Sequence, residues 1–172
     1  MLIGIISDTH DNVSAVNAAM DVFRTHNVDA IVHCGDVIAP PIIPLFDGFE
    51  FHLVLGNNDG ETTGLRSKVA ELTPVGHCHG YFAVIEFDGY RIAALHGEDL
   101  DEAEHYAASG AFDLVCYGHH HERRYDESAE TPILNPGAHF PLVESRHRTV
   151  AILDTSSDDV YFEPIGDQEI AE

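Results

Sequence analysis

What most constrains this chain is a repetition. Five strand-like apolar runs each end on a Gly-flanked or polar turn that carries metal-ligand residues. The turns read Asp8-Thr9-His10, Gly35-Asp36, Gly56-Asn57-Asn58-Asp59, His96-Gly97 and Gly118-His119-His120-His121. In an open α/β sheet, ligands bind in the crevice outside the carboxyl ends of the strands. Unrelated ligand residues do not collect by chance at one end of several strands. The pattern therefore implies an α/β fold with a multinuclear metal centre built from strand ends.

The periodicity between those turns agrees. Leu2 to Ser7 and Asp29 to His33 read as buried strands, β-branched and uninterrupted. Val13, Val16, Met20 and Phe23 mark one face of a helix, with Asn12 as its N-cap. Pro40 to Phe46 is too proline-rich for a long helix and predicts one short turn. Phe51 to Leu55 is a third strand, followed by a polar segment from Glu61 to Glu71 without a defined pattern. Tyr81 to Phe87 and Tyr90 to Leu95 flank Asp88-Gly89, a pair suited to a type I′ hairpin. A helix over Asp101 to Ser109 ends at Gly110, and Phe112 to Tyr117 is a further strand. Short strands near Ile133, Thr149 to Leu153 and Val160 to Phe162 close the chain. With 172 residues and neither repeat nor linker, one domain over 1–172 is expected, with mixed strand pairing.

Composition narrows the setting. Eight Lys and Arg against 30 Asp and Glu give a formal charge of −22, spread from Asp8 to Glu172. Such a chain repels itself in dilute buffer, whereas in molar salt the Debye length falls to roughly 3 Å. A salt-rich cytoplasm is the expected home. Long nucleic acid is an unfavoured partner, since phosphate contacts normally come from Lys and Arg. Met1 to Ile6 lacks the basic flank and cleavage site of a signal peptide, and nothing resembles a membrane span. Cys34, Cys78 and Cys116, odd in number and without Cys-x-x-Cys, argue against a disulfide framework. Cys34 and Cys116 read as core thiols.

The ligand chemistry is specific as a set. Asp8 and His10 share the i, i+2 spacing of His119 and His121, and Asp36, Asn57 and His96 each follow a strand. Seven oxygen and nitrogen donors without sulfur exceed what one tetrahedral ion needs. They suit two ions sharing one carboxylate, drawn from Mn, Fe, Co, Ni or Zn in preference to Ca or Mg. Any one of the 13 histidines could be merely structural; an ordered series at successive strand ends is not so easily explained.

This ordered set resembles the calcineurin-like metallophosphoesterase superfamily, whose pattern is Asp-x-His, Gly-Asp, Gly-Asn-x-Asp/Glu, His and Gly-His-x-His. The short length and Asn135-Pro136-Gly137 resemble its small bacterial and archaeal phosphodiesterase branch, which includes the retromer-subunit fold. The resemblance covers essentially the whole chain. It implies two mixed β-sheets packed as a sandwich and flanked by helices, in four layers, with two metals (Mn first, otherwise Ni, Zn, Fe or Co) at the strand ends. It also implies that Asp8, His10 and His121 hold one metal, that Asn57, His96 and His119 hold the other, and that Asp36 bridges them. The chain departs from many phosphatases of the superfamily at one place: Asn58 stands where they carry a proton-donating histidine. Asn58 can hydrogen-bond a phosphoryl oxygen but cannot serve as an acid, which favours diesters with good leaving groups.

Two divalent ions roughly 3.5–4 Å apart lower the pKa of a bridging water and clamp a phosphoryl group. A metal-bridging hydroxide as nucleophile makes the expected activity phosphodiester hydrolysis on small phosphoesters or nucleotides. A phosphomonoesterase, a non-catalytic interaction module on the same fold and a zinc-stabilised structural domain are the rival readings. Arg123 and Arg124 could contact a substrate phosphate or be a solvated pair salt-bridged to Glu122 or Asp126. His120 is expected to point away from the metals and His33 to pack beneath them. His77-Cys78-His79 resembles a zinc-binding fragment, but no fourth ligand is obvious and no binding is expected. Asn135-Pro136-Gly137 is either a rim-shaping element or a plain turn. Homo-oligomerisation stays open.

Overall fold

A computed structural model describes residues 1–140 and 142–166. Six strands make the first sheet: β1 (Leu2–Ile6), β2 (Ala30–His33), β3 (Glu50–Val54), β4 (Val75–Gly80), β10 (Thr149–Asp154) and β11 (Asp159–Pro164), in the order β11-β10-β1-β2-β3-β4. Strands β1 to β4 run parallel, and β10 pairs antiparallel with β1. The second sheet holds β5 (Phe82–Phe87), β6 (Tyr90–Leu95), β7 (Leu114–Cys116), β8 (Arg124–Asp126) and β9 (Ile133–Asn135), ordered β5-β6-β7-β9-β8. Both sheets are mixed, as expected from the meander and hairpin signals.

Three layers of core separate four layers of structure. Ile3, Ile5, Val32, Ile85, Ile92 and Leu134 pack between the two sheets. Phe23, Phe46, Phe51, Leu53 and Leu65 fill the outer side of the first sheet under α1 (Val13–Thr25) and α2 (Thr62–Ala70). Ala103 and Ala107 of α3 (Leu100–Ala108) cover the second sheet against Leu95 and Val115. Each fully buried large apolar side chain contributes roughly 1.5–3 kcal/mol. Helix α1 lies close on the sheet because Gly4 has no side chain: a Cβ there would sit 2.7 Å from the Phe23 ring.

Local signals were realised faithfully where they were strong. Asn12 caps α1, its Oδ1 accepting the Ala15 N–H at 3.1 Å. Asp88 (φ 51°) and Gly89 (φ 91°) both take the left-handed backbone that a type I′ turn requires, and Phe87 pairs with Tyr90. Pro40 to Phe46 forms a 3₁₀ segment in place of a single turn. The segment expected to be unpatterned, Glu61 to Glu71, contains α2. Only Leu65 and Val69 of that helix are buried, so its apolar stripe is too narrow to announce itself. Strand β4 also went unread, because as an edge strand it exposes His77 and His79.

Candidate metal centre

All five ligand turns lie at the carboxyl ends of central strands: β1, β2 and β3 in the first sheet, β6 and β7 in the second. Asp8 (φ 52°), His10 (43°), Asp36 (57°), His119 (61°) and His121 (58°) share a left-handed backbone. Non-glycine residues avoid that region at a cost of order 1–3 kcal/mol each, so the surroundings must hold them there. They do so by cross-tying the turns. Asp8 N–H donates to Gly35 O at 3.0 Å, His10 N–H to Asp36 O at 3.1 Å, and Gly118 N–H to His96 O at 2.8 Å.

The donors converge. Asp8 Oδ2 accepts from Ser7 Oγ (2.6 Å) and from His119 N–H (3.0 Å), which turns Oδ1 toward His121 Nε2 at 3.2 Å and His10 Nε2 at 3.9 Å. Asp36 Oδ2 stands between two histidines, 3.5 Å from His10 Nε2 and 3.4 Å from His96 Nε2. Asn57 Oδ1 lies 3.1 Å from His96 Nε2 and 3.1 Å from His119 Nδ1. Among these seven, two groups have ligand atoms all within 4.8 Å of one another: Asp8, His10 and His121, and Asp8, Asp36 and His96. The seven residues singled out from sequence thus meet in one place.

The donor set fits cations. Asp8 Oδ1 and His10 Nε2 are buried yet have no hydrogen-bond partner. Leaving such atoms unpaired costs about 1–3 kcal/mol each, more for a charged group. A cation between them satisfies both. Cys34 O accepts from His96 Nδ1 at 2.8 Å, which leaves the Nε2 lone pair free to face Asn57 and Asp36 in the neutral ring. Burial opposes ionisation of the Asp36 carboxyl, but hydrogen bonds from His96 and Asn58 hold it below the usual range. Burial likewise opposes charging His96, yet Asp36 and Asp8 raise it to about 9 without a metal. His119 is lowered, by burial and by His96 beside it.

Several supporting residues escaped the sequence reading. Asp59 is the most important: Oδ2 accepts the N–H groups of Asp36 (2.9 Å) and Gly56 (2.7 Å), and Oδ1 that of Ile38 (2.7 Å). It ties the second and third ligand turns together, and its place in Gly56-Asn57-Asn58-Asp59 was the available signal. His139 donates its N–H to Asp8 O at 3.0 Å. Phe140 packs 5.0 Å from the His10 ring and 4.7 Å from that of His121. Gly118 is required because a Cβ there would collide with Ser7 Oγ and Asp8 Oδ2.

The remaining candidates are placed as follows. His33 is buried beneath the centre, its Nδ1 accepting from Gly35 N–H (3.2 Å) and its Nε2 facing Thr9 Oγ1 (3.1 Å). His120 is exposed, against Tyr117. Cys34 and Cys116 are buried free thiols. The Arg123 guanidinium lies 5.6 Å over the Phe162 ring, while Arg124 pairs with Asp126 at 2.7 Å. Asn135 is more than a turn residue: its Nδ2 holds Gly118 O at 2.7 Å, bracing the strand end that carries His119 and His121. No helix among the described residues is long and apolar enough to cross a membrane.

Comparison with known proteins points the same way. Residues 1–158 match the calcineurin-like phosphoesterase superfamily domain. The chain is 32% identical over 157 residues to phosphodiesterase MJ0936 of Methanocaldococcus jannaschii, covering 90% of this chain and 93% of that protein. A solved archaeal phosphodiesterase superposes with a TM-score of 0.84 at 30% identity, covering 95% of this chain and 99% of the other. Vacuolar protein sorting 29 of Cryptosporidium parvum shares the fold, with a TM-score of 0.62 at 15% identity and 96% of each chain covered.

Proposed function

We propose that this chain, which belongs to the calcineurin-like phosphoesterase superfamily, hydrolyses small phosphodiesters at a centre for two divalent cations. The observation that carries this reading is the convergence of seven donors, two of which, Asp8 Oδ1 and His10 Nε2, are buried without a hydrogen-bond partner. Asp8, His10 and His121 would hold one cation and Asn57, His96 and His119 the other, with Asp36 facing both. When bound, such a pair supplies Lewis acidity toward a phosphoryl oxygen and lowers the pKa of water. Oxygen and nitrogen donors without thiolate suit Mn, Fe, Co, Ni or Zn, and the family resemblance puts Mn first among them.

The chain's own residues orient and hold. Ser7 and the His119 N–H aim the Asp8 carboxylate, Asn58 clamps that of Asp36, and Cys34 O sets the His96 tautomer. Neither Asn57 nor Asn58 can protonate a leaving group, which supports diesters with good leaving groups over monoesters. The phosphodiesterases among the relatives support the same choice. A non-catalytic module is disfavoured, since the likeness to the sorting protein concerns the fold alone whereas all seven donor positions are filled here. Three free cysteines and a charge of −22 support a reduced, salt-rich cytoplasm as the setting.

The test is hydrolysis of bis(p-nitrophenyl) phosphate and p-nitrophenyl phosphate side by side, in molar KCl with Mn²⁺ and then with chelator. Metal-dependent turnover favouring the diester is expected. Folded protein that turns over neither ester with any of the named metals overturns the proposal.

A further inference from the structure

A second group of ligand side chains lies away from this centre. Strands β3 and β4 run parallel in register, with Glu50 opposite Val75 and His52 opposite His77. Side chains alternate along each strand, so Glu50, His52, His77 and His79 share one face. Cys78 points the other way, into the core beneath α1 and α2. The ligand atoms of Glu50, His52 and His77 all lie within 4.8 Å of one another. His52 lies within β3 whereas Asn57 stands in the turn beyond its end, and the group shares no residue with the first centre.

We propose that Glu50, His52 and His77 form a further cation site, taking one first-row transition-metal ion of the Zn²⁺, Ni²⁺ or Cu²⁺ type, with His79 bracing His52 from behind. The donor set is two imidazoles and a carboxylate, which such ions prefer and Ca²⁺ or Mg²⁺ does not. Three protein ligands leave a fourth tetrahedral position for water. His52 is 6% exposed and packs its ring against Phe87, so its direction is set by the core. His77 and His79 are exposed on the edge strand, which supplies an entry path.

The hydrogen bonds around His52 already have the form of a metal site's outer layer. Its Nε2 faces Glu50 Oε1 at 3.0 Å, and its Nδ1 faces His79 Nε2 at 2.9 Å. A ligating histidine normally donates its second ring N–H to a fixed acceptor. Here an ion would face Glu50 from Nε2 once the His52 proton resides on Nδ1, where it donates to the Nε2 of a His79 ring protonated on Nδ1. Both rings stay neutral through that change. The sequence reading expected no binding at His77-Cys78-His79 for want of a further ligand; the proposed site draws its missing ligands from β3, His52 standing twenty-five residues before His77 and directly opposite it.

The experiment compares wild type with the double variant Glu50→Gln/His77→Ala, both stripped of metal, reloaded with Zn²⁺ in molar KCl and assayed for bound metal per chain. Circular dichroism verifies the fold, and Mn²⁺-dependent phosphoesterase activity verifies the first centre. Wild type is expected to retain one equivalent more than the double variant while activity is unchanged. In an Asp36→Ala background, the visible bands of histidine-ligated Co²⁺ should weaken when Glu50→Gln/His77→Ala is added, and His79→Gln should weaken binding about 10–100-fold. Equal stoichiometry and equal affinity in wild type and the folded double variant would overturn the proposal.

Discussion

Asn58 grips Asp36 with both of its donors: its backbone N–H reaches Oδ1 at 2.9 Å and its side-chain amide reaches Oδ2 at 2.7 Å. The residue that cannot act as an acid therefore has a defined task, fixing the carboxylate that faces both halves of the centre. Asn58→Ala is expected to weaken metal binding about 10–100-fold, as loss of an outer hydrogen bond commonly does. Metal titrations of activity separate two roles. If Asn58 only positions Asp36, saturating Mn²⁺ restores kcat; if it also contacts the phosphoryl group, kcat stays low at every metal concentration.

Asp36→Ala and His119→Ala should each reduce diester turnover by at least about 100-fold, since a direct donor is worth no less than an outer one. Both side chains lie outside the apolar cores, so the far-ultraviolet dichroism should be retained. Unchanged activity in either folded variant would remove that residue from the centre.

Asp59 is expected to matter for stability as much as for activity. Asp59→Ala strands the N–H groups of Asp36, Gly56 and Ile38, at a combined cost of about 3 kcal/mol or more. Urea denaturation of metal-free protein measures this directly. A loss below about 1 kcal/mol would mean that the two turns hold their shape without the clamp.

Acid should destabilise the metal-free fold before its carboxylates titrate. Burial lowers His33 from 6.5 to about 3 and His139 from 6.5 to about 4. Both rings are neutral when folded and gain protons when unfolded below pH 6.5, so their contribution is full above that value. It is lost as pH falls from 6.5 toward the folded values, at about 1.4 kcal/mol per proton per pH unit. Thermal midpoints recorded from pH 6.5 to 5 should fall, and His139→Leu should flatten that part of the profile. His96 acts in the opposite sense without metal: raised to about 9, it stabilises fully below 6.5 and loses that effect as pH rises through 9.

Salt should stabilise the chain. With a formal charge of −22, shortening the Debye length from about 10 Å at 0.1 M to about 3 Å at 1 M removes most of the self-repulsion. The melting midpoint of metal-free protein is expected to climb steadily with KCl. A midpoint independent of salt between those concentrations would reject the inference of a salt-adapted protein.

Much of this protein was legible from local pattern alone. The Asp88-Gly89 turn, the Asn12 cap and the apolar runs of β1, β2, β3 and β6 depend on neighbours in the chain, and residues a few positions apart settle them. The ligand turns were legible for the same reason, each being a strand followed by a short polar motif. Strand β4 and helix α2 were not, because each buries too little to carry a strong period, and each is held by packing against β3 or the 3₁₀ segment. Likewise Asp59 and Asn135 stand in motifs visible in the sequence, but their bonds to backbone groups of other turns, like those of Ser7 and His139, were not legible there.

The sequence by itself determined which residue types stand at the strand ends, and hence the chemistry available there. Tertiary structure decided which turns touch. Ordering β10 and β11 beside β1, bringing β6 and β7 over β2 and seating Asp36 between His10 and His96 all require long-range closure. The same closure set Glu50 and His52 beside His77 and His79. A contact of that kind depends on the burial of whole sheets, not on the residues on either side, so it has no local signature to read.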